Sequence, residues 1–444
     1  MSANCLLISA NQVVTPYPVY PLGIACLLGA LTEAGHRADH YDVLSGGLEG
    51  LKTRLATETY DLLAISIRNL DSVDSADSHN FLGDISRIVA AVRASSSVPI
   101  VLGGSGFSIM PEALMDLLQP DYGVIGEGEK ILPWLAGEIA LGTPPPNRVY
   151  SQALESYPEC RPVFQQNIAD YYLAHGGMLN IQTKRGCPYS CSYCSYPLLE
   201  GKRIRYREPE EVAEEMAHLT RNLGARYIFF ADSVFNDPAK RFLEIAEALI
   251  RRGNTTPWCA FFRPQNLTRN DLLLLKRAGL AAAELGTDAT SDTTLAAFGK
   301  GFTFADVLHT ANHFSEAEIP CAHYVIFGGP DEDHHTLQEG LHNLDRLPKS
   351  VVFAFTGIRI LPNTGIHDRA VRDKVISREH PLLLPTYYFS PLIERKQLET
   401  GIIQAFSGRQ DRIFPCSKVA DHITMLHKFG HLGPLWELIL KSSP

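Results

Sequence analysis

Thr183-Lys184-Arg185-Gly186-Cys187-Pro188-Tyr189-Ser190-Cys191-Ser192-Tyr193-Cys194 sets three thiols close together beside a cation and a glycine turn. Iron-sulfur clusters normally use four cysteine thiolates, so three leave one iron without a protein ligand and open to a small molecule. An open coordination position is what separates a reactive metal site from a closed structural one. A structural zinc site would want a fourth Cys or His within a few residues, and between Cys160 and Lys202 the only further candidate is His175, ahead of the loop. A disulfide belongs to an oxidising compartment, which nine scattered cysteines without a secretory signal do not suggest.

The loop resembles that of the radical S-adenosylmethionine (SAM) enzymes, which reads CxxxCxxC with an aromatic residue just before the third cysteine, here Tyr193. The resemblance implies a 4Fe-4S cluster on Cys187, Cys191 and Cys194, with the amino and carboxylate groups of SAM on the fourth iron and Tyr193 near the adenine. It also implies an external low-potential reductant of flavodoxin or ferredoxin type. Electron transfer from the reduced cluster then cleaves the sulfonium to methionine and a 5'-deoxyadenosyl radical.

At 444 residues the chain exceeds one ordinary domain, and 45% hydrophobic with 20% charged residues is the balance of a globular protein with a sizeable core. A net charge of -9 argues against a nucleic-acid partner, which would need a clustered Lys/Arg excess. The start, Met1 to Ser9, lacks a basic region before a long apolar stretch, and no run reaches the ~20 apolar residues of a membrane span. The expectation is a cytoplasmic enzyme with a small-molecule substrate.

Working back from the cysteines, short apolar runs alternate with helical spacing: Asn4 to Ser9, Arg37 to Val43, Asp61 to Ile67, Ile100 to Gly103 and Tyr122 to Ile125. The alternation predicts an α/β domain over residues 1–140, a doubly wound, Rossmann-like parallel sheet whose ligands sit at the carboxyl ends of the strands. Three loops there stand out, Ser66-Ile67-Arg68-Asn69, Gly103-Gly104-Ser105-Gly106-Phe107 and Gly126-Glu127-Gly128-Glu129. Glycine allows close approach to a bulky ligand, though it is also routine punctuation at such turns. Together with Pro21-Leu22-Gly23 and ahead of a cysteine loop, they resemble the cobalamin-binding domain of the cobalamin-dependent radical SAM class. The resemblance implies cobalamin contacts at Pro21, Leu22, Ser66, Arg68, Asn69, Gly104, Ser105, Gly106, Phe107, Gly126, Glu127 and Gly128. The Asp-x-His-x-x-Gly signature of a histidine-ligated cobalt is missing, and Asp77-Ser78-His79 only approximates it. Arg68 cannot ligate cobalt, because arginine stays protonated. It either pairs with Asp71 or Asp74 or faces the cobalt and keeps the lower position empty, an arrangement similar to the tryptophan C-methyltransferases of thiopeptide biosynthesis.

Residues 141–177, with Pro144-Pro145-Pro146, read as a linker. From 178 to 395 the strand and helix rhythm resumes, with strands at Leu179 to Thr183, Tyr227 to Ala231, Trp258 to Phe262, Ala281 to Gly286, Ala322 to Phe327 and Val352 to Ile358. Six repeats predict a partial (β/α)6 barrel of TIM type, with reactive residues at the carboxyl ends of its strands. Residues 396–444 read as a substrate or capping region. By the family resemblance SAM is contacted by Tyr193, Asp232, Ser233, Arg263, Glu284, Gly286, Asp288, Gly328 and Arg359, with Asp288 standing one methylene shorter than the glutamate of many relatives. Each also has a plain reading, Asp232 as a helix cap and Arg263 as half of an ion pair. The expected activity is methyl transfer from SAM through methylcobalamin to carbon, or phosphorus, of a small molecule, by a radical route or by polar transfer to an indole-like carbon. A cyclase or ring-rearranging oxidoreductase is the alternative.

Overall fold

The alternating apolar runs of the first third form one parallel sheet in the computed structural model, which describes residues 1–146, 148–151 and 154–441. Its strands are β1 (Asn4–Ser9), β2 (Arg37–Asp42), β3 (Leu62–Ser66), β4 (Ile100–Gly103), β5 (Tyr122–Ile125) and β6 (Val149–Ser151), in the order β2-β1-β3-β4-β5-β6. The order reverses between β1 and β3, and the crevice outside the carboxyl ends at such a switch point is where doubly wound sheets bind ligands. β6 lies in the stretch read as a linker and pairs with β5 at Gly123 to Ile125. Three residues are too few to show an alternating pattern.

The helix Gln166–Gly176, ended by Gly177 in the left-handed region at φ 67, leads into the barrel. β7 (Met178–Ile181) is followed by β8 (Lys184–Arg185), which pairs antiparallel with β9 (Arg205–Tyr206), so the cysteine loop is the body of a hairpin. Then come β10 (Tyr227–Phe230), β11 (Trp258–Phe262), β12 (Leu280–Asp288), β13 (Cys321–Phe327) and β14 (Ser350–Thr356). β15 (Ile358–Arg359) pairs antiparallel with β16 (Tyr387–Tyr388), and β17 (Arg412–Ile413) closes the count. The barrel sheet runs β17-β14-β13-β12-β11-β10-β7, parallel throughout. All six expected strands are present, and β17 extends the wall into the stretch read as a C-terminal region.

Helices cover the outside because their apolar residues recur every three or four positions, as with Phe242, Ile245, Ala246 and Leu249 of helix Arg241–Arg251. Capping boxes at Thr268 with Asp271 and at Thr303 with Asp306 fix two of their starts. After β17, helix Ser417–Lys428 leads to Trp436, which is 2% exposed and plugs the lower mouth of the barrel among Met178, Tyr227, Cys259 and Ala322. No helix among the described residues is long and apolar enough to cross a membrane.

Two buried charge sets lock the halves together. Arg359 on β15 donates from Nε to Asp71 at 2.7 Å, each side chain 3% exposed, and also to the carbonyls of Ile360 and Leu382 at 2.7 Å. Arg185 on β8 divides between Glu127 at 2.8 Å and Glu129 at 2.7 Å, while Arg205 on β9 also pairs with Glu127.

Candidate active site

A cleft of about 340 Å³ opens at the switch point, lined from the first domain by Pro21, Leu22, Gly23, Ser66, Arg68, Gly104, Ser105 and Gly126 to Glu129, and from the barrel by Gln182, Arg185, Tyr196, Leu199 and Glu200. Glycine is required at Gly104, where φ is +93° and a Cβ would stand 2.6 Å from the Ile67 carbonyl. A Cβ on Gly23 would meet nothing within 4 Å, so that turn leaves open room beside the cleft. Ser105 Oγ donates to the Arg68 carbonyl at 2.9 Å and fixes the backbone from which Arg68 projects. Among the described residues Arg68 has no ion-pair partner, since Asp71 belongs to Arg359 and Asp74 takes none. The pairing read for Arg68 from the sequence is therefore absent, and its guanidinium is exposed in the cleft.

Four of the residues expected to contact cobalamin have other neighbours in the structure. Asn69 lies beside a separate small hollow and donates to Asn11 at 3.4 Å. Gly106 and Phe107 turn under the sheet, Phe107 fully buried, because the short helix Ser105–Ile109 directs them into the core. Glu127 reaches the cleft, but its carboxylate is engaged by Arg185 and Arg205. His79 is exposed and pairs with Asp77 at 2.9 Å. No histidine lines the cleft among the described residues. The glycine turns, the apolar wall and the lone cation suit a large ligand with anionic or amide substituents, and cobalamin fits that donor set.

Beside this cleft the three cysteines of the loop are free thiols. The loop is pinned from outside, with Ser192 N donating to the Phe298 carbonyl at 2.8 Å and Ile366 N donating to the Ser192 carbonyl at 2.7 Å. Among the described residues no three His, Cys, Asp or Glu side chains converge on a single ion. Thiolates on separate irons of a cluster need no such convergence. Arg263 Nη1 lies 3.8 Å from Cys191 Sγ, its guanidinium stacked 3.8 Å over Tyr189 and 4.7 Å from the Phe302 ring centroid. Arg263 Nε and Ser192 Oγ are buried without a partner, polar atoms left for a bound group to satisfy. Three thiolates beside a cation with spare donors fit a cluster and the carboxylate of a ligand on it.

Of the other residues assigned to SAM, Tyr193 and Asp288 meet. The Tyr193 hydroxyl donates to Asp288, and Lys300 pairs with the same carboxylate. Asp288 sits at φ +60° where β12 breaks register with β13 beyond Leu285. Gly286 faces open space, its nearest atom for a Cβ being the Phe262 carbonyl at 3.8 Å. Ser233 donates weakly to the Gly186 carbonyl at 3.4 Å, at the base of the loop. Glu284 lies deeper, below the loop, taking a hydrogen bond from Trp436 Nε1 at 3.2 Å.

Three of the SAM expectations are displaced. Asp232 accepts from Thr183 N at 2.6 Å and pairs with buried Lys184 at 2.8 Å, so its oxygens hold the hairpin's base and offer nothing to a ribose. The Gly328 amide is taken by Glu332, which accepts from Gly329 N at 3.1 Å as well. Arg359 is the clamp on Asp71. Lys300 was missed, although Gly299-Lys300-Gly301, with φ of 69° and 66° at the glycines, marks a turn built to present it. Trp436, distant in sequence, left no such signal.

The model of the radical SAM superfamily matches residues 181–343, and that of the B12 binding domain matches residues 8–136. The tryptophan 2-C-methyltransferase of Streptomyces laurentii is 26% identical over 441 residues, spanning 81% of this chain and 73% of its own. An anaerobic magnesium-protoporphyrin IX monomethyl ester cyclase of Cereibacter sphaeroides is 31% identical over 159 residues, spanning 35% of this chain and 26% of its own. The radical S-adenosylmethionine methyltransferase TsrM of Kitasatospora setae, solved with cobalamin and a 4Fe-4S cluster, superposes with a TM-score of 0.85 at 23% identity, covering 99% of this chain and 98% of that one. At that identity the likeness speaks for the fold alone.

Proposed function

This chain belongs to the cobalamin-dependent radical SAM methyltransferases, and from that premise we propose that it moves a methyl group from SAM, by way of cobalamin in the cleft between its halves, to a carbon of a small molecule. The observation that carries this is the cleft itself, lined by both domains and opening beside the cysteine loop with an unpaired Arg68. Cys187, Cys191 and Cys194 would hold the cluster, whose chemistry is electron donation to a bound sulfonium, and cobalamin would carry the methyl group. Tyr193, Arg263, Gly286, Asp288 and Lys300 are the SAM contacts this geometry supports. Arg263 offers its unsatisfied Nε and fork to a carboxylate, and the Tyr193 hydroxyl is committed to Asp288 as a donor because burial pushes it well above the ordinary phenol range. Arg68 lines the cleft without a partner and cannot ligate a metal, so a cobalamin held against it would gain no protein ligand from that side chain, a setting that would favour methyl loss as a cation equivalent to a nucleophilic carbon. The tryptophan 2-C-methyltransferase among the relatives supports that polar route.

An external low-potential reductant of flavodoxin or ferredoxin type and a cytoplasmic location complete the reading, supported by nine free cysteines that suit a reducing compartment. The test is an anaerobic assay of reconstituted protein with cobalamin, reductant and methyl-labelled SAM. Label on cobalamin together with S-adenosylhomocysteine is expected. 5'-Deoxyadenosine alone, with a product of unchanged carbon count, would replace this reading with the cyclase class that also appears among the relatives.

A further inference from the structure

Arg263 follows β11 at the carboxyl end of the barrel and is 5% exposed, yet among the described residues no carboxylate pairs with it. The buried acids Asp232 and Asp288 are held by Lys184 and Lys300 instead. A charge taken out of water without a counter-charge is strongly destabilising, so this guanidinium calls for an anion beside it.

Its place is fixed before any ligand arrives. Asn236, itself 3% exposed, accepts from Arg263 N at 2.8 Å and donates to the carbonyls of Arg263 at 2.9 Å and Gln265 at 3.0 Å. The guanidinium lies against the rings of Tyr189 and Phe302, and Gln265 Nε2 donates to the Tyr189 hydroxyl at 3.4 Å. A planar, weakly hydrated cation tolerates aromatic faces in place of water. Stacked in this way it keeps its N–H groups free in its own plane, and Nη1 reaches Cys191 Sγ at 3.8 Å.

Two anions suit this charge, the carboxylate of SAM and the thiolate of Cys191. Arg263 can serve both, since Nη1 faces the sulfur while Nε has no partner. Only the thiolate is present before SAM binds. Hydrogen bonds to the cysteine sulfurs and the charge around them are what set a cluster's reduction potential. Reduction by a low-potential one-electron donor adds one negative charge, with no bond made or broken and no proton moved, because arginine stays protonated.

We infer that Arg263 acts on the reaction through Cys191: its Nη1–H donates to the thiolate and its charge raises the reduction potential of the cluster on which the methyltransferase reading rests. A cluster so held is a weaker one-electron donor to a sulfonium, which agrees with methyl loss as a cation equivalent. The test is an EPR-monitored redox titration of the reconstituted holoenzyme with dithionite, before any SAM is added. Arg263→Gln is expected to make the cluster about tenfold harder to reduce at a given potential, a fall of about 59 mV in the midpoint of a one-electron couple. Arg263→Lys keeps the charge but lacks the planar fork that lies against both rings and reaches the sulfur, so its midpoint is expected between those of the Gln variant and wild type. If the Gln variant takes up no cluster, the Lys variant decides, and a midpoint equal to wild type overturns the inference. A midpoint common to all three proteins overturns it as well, leaving Arg263 to the SAM carboxylate alone and the methyltransferase reading intact. A wild-type protein that assembles no cluster refutes that reading itself.

Discussion

Glu332→Gln makes the loop after β13 a measurable object. The Glu332 carboxylate is 3% exposed and accepts from the amides of Gly328 and Gly329, a role the amide oxygen of glutamine can fill. Burial pushes this carboxyl up to about 7, outweighing the two amide hydrogen bonds. Its folded-state affinity for a proton therefore exceeds that of the unfolded chain, so the stability it contributes is full below about 4.5 and is lost as the pH rises through about 7. At about 1.4 kcal/mol for each pKa unit, the loss is on the order of 3 kcal/mol, most of which falls between pH 5 and pH 8. The glutamine variant has no such loss. In urea titrations at a series of pH values, the stability difference between variant and wild type is expected to move in the variant's favour by about 2–3 kcal/mol from pH 5 to pH 8. Glu284 titrates in the same window but is unchanged in both proteins, so it cancels from the difference. A difference that stays flat across this range would show that burial does not raise the Glu332 carboxyl and would refute this reasoning.

Replacing Arg359 by Met leaves Asp71 buried without its partner and is expected to destabilise by about 3–5 kcal/mol. Adding Asp71→Leu should recover much of that loss, and additive losses in the double-mutant cycle would contradict a direct pair. Gly104→Ala forces a side chain onto a φ of +93° and a Cβ onto the Ile67 carbonyl, so it is expected to cost about 1–3 kcal/mol and to lower cobalamin retained after gel filtration. A variant that retains cobalamin like wild type would show that this turn does not shape the cleft. Arg68→His places a ligating imidazole in the cleft, and the visible spectrum of bound cobalamin is expected to shift toward the six-coordinate form with slower methyl transfer. An unaltered spectrum would place Arg68 away from the cobalt.

The sheet and barrel were legible because most of their strands, four to nine residues each in β1 to β5 and in β7 and β10 to β14, are runs of largely apolar residues buried on both faces. β6 and β17, at three and two residues, are defined by their neighbours rather than by their own pattern. The cysteines and most glycine turns were legible because a backbone that must approach a ligand admits few other residues. What a charged residue at a strand end pairs with was not legible. Arg359 and Asp71 are 288 positions apart, and nothing local distinguishes an arginine waiting for a carboxylate in the other domain from one waiting for SAM. Asp232 was misread for a related reason: a short acid at a strand end satisfies its own hairpin as readily as a ribose.

The salt-bridged hairpin constrains how such enzymes can recombine. Arg185 and Arg205 are about as deeply buried as Glu127 and Glu129, so each half of the molecule supplies the counter-charge that makes the other half's interior tolerable. A first domain transplanted from a relative without both acids would strand two arginines in a dry interface, next to the cysteine loop they support. Viable chimeras must therefore carry the Gly126 to Glu129 turn and the β8–β9 hairpin as one inherited unit, although 54 residues of chain separate Glu129 from Lys184.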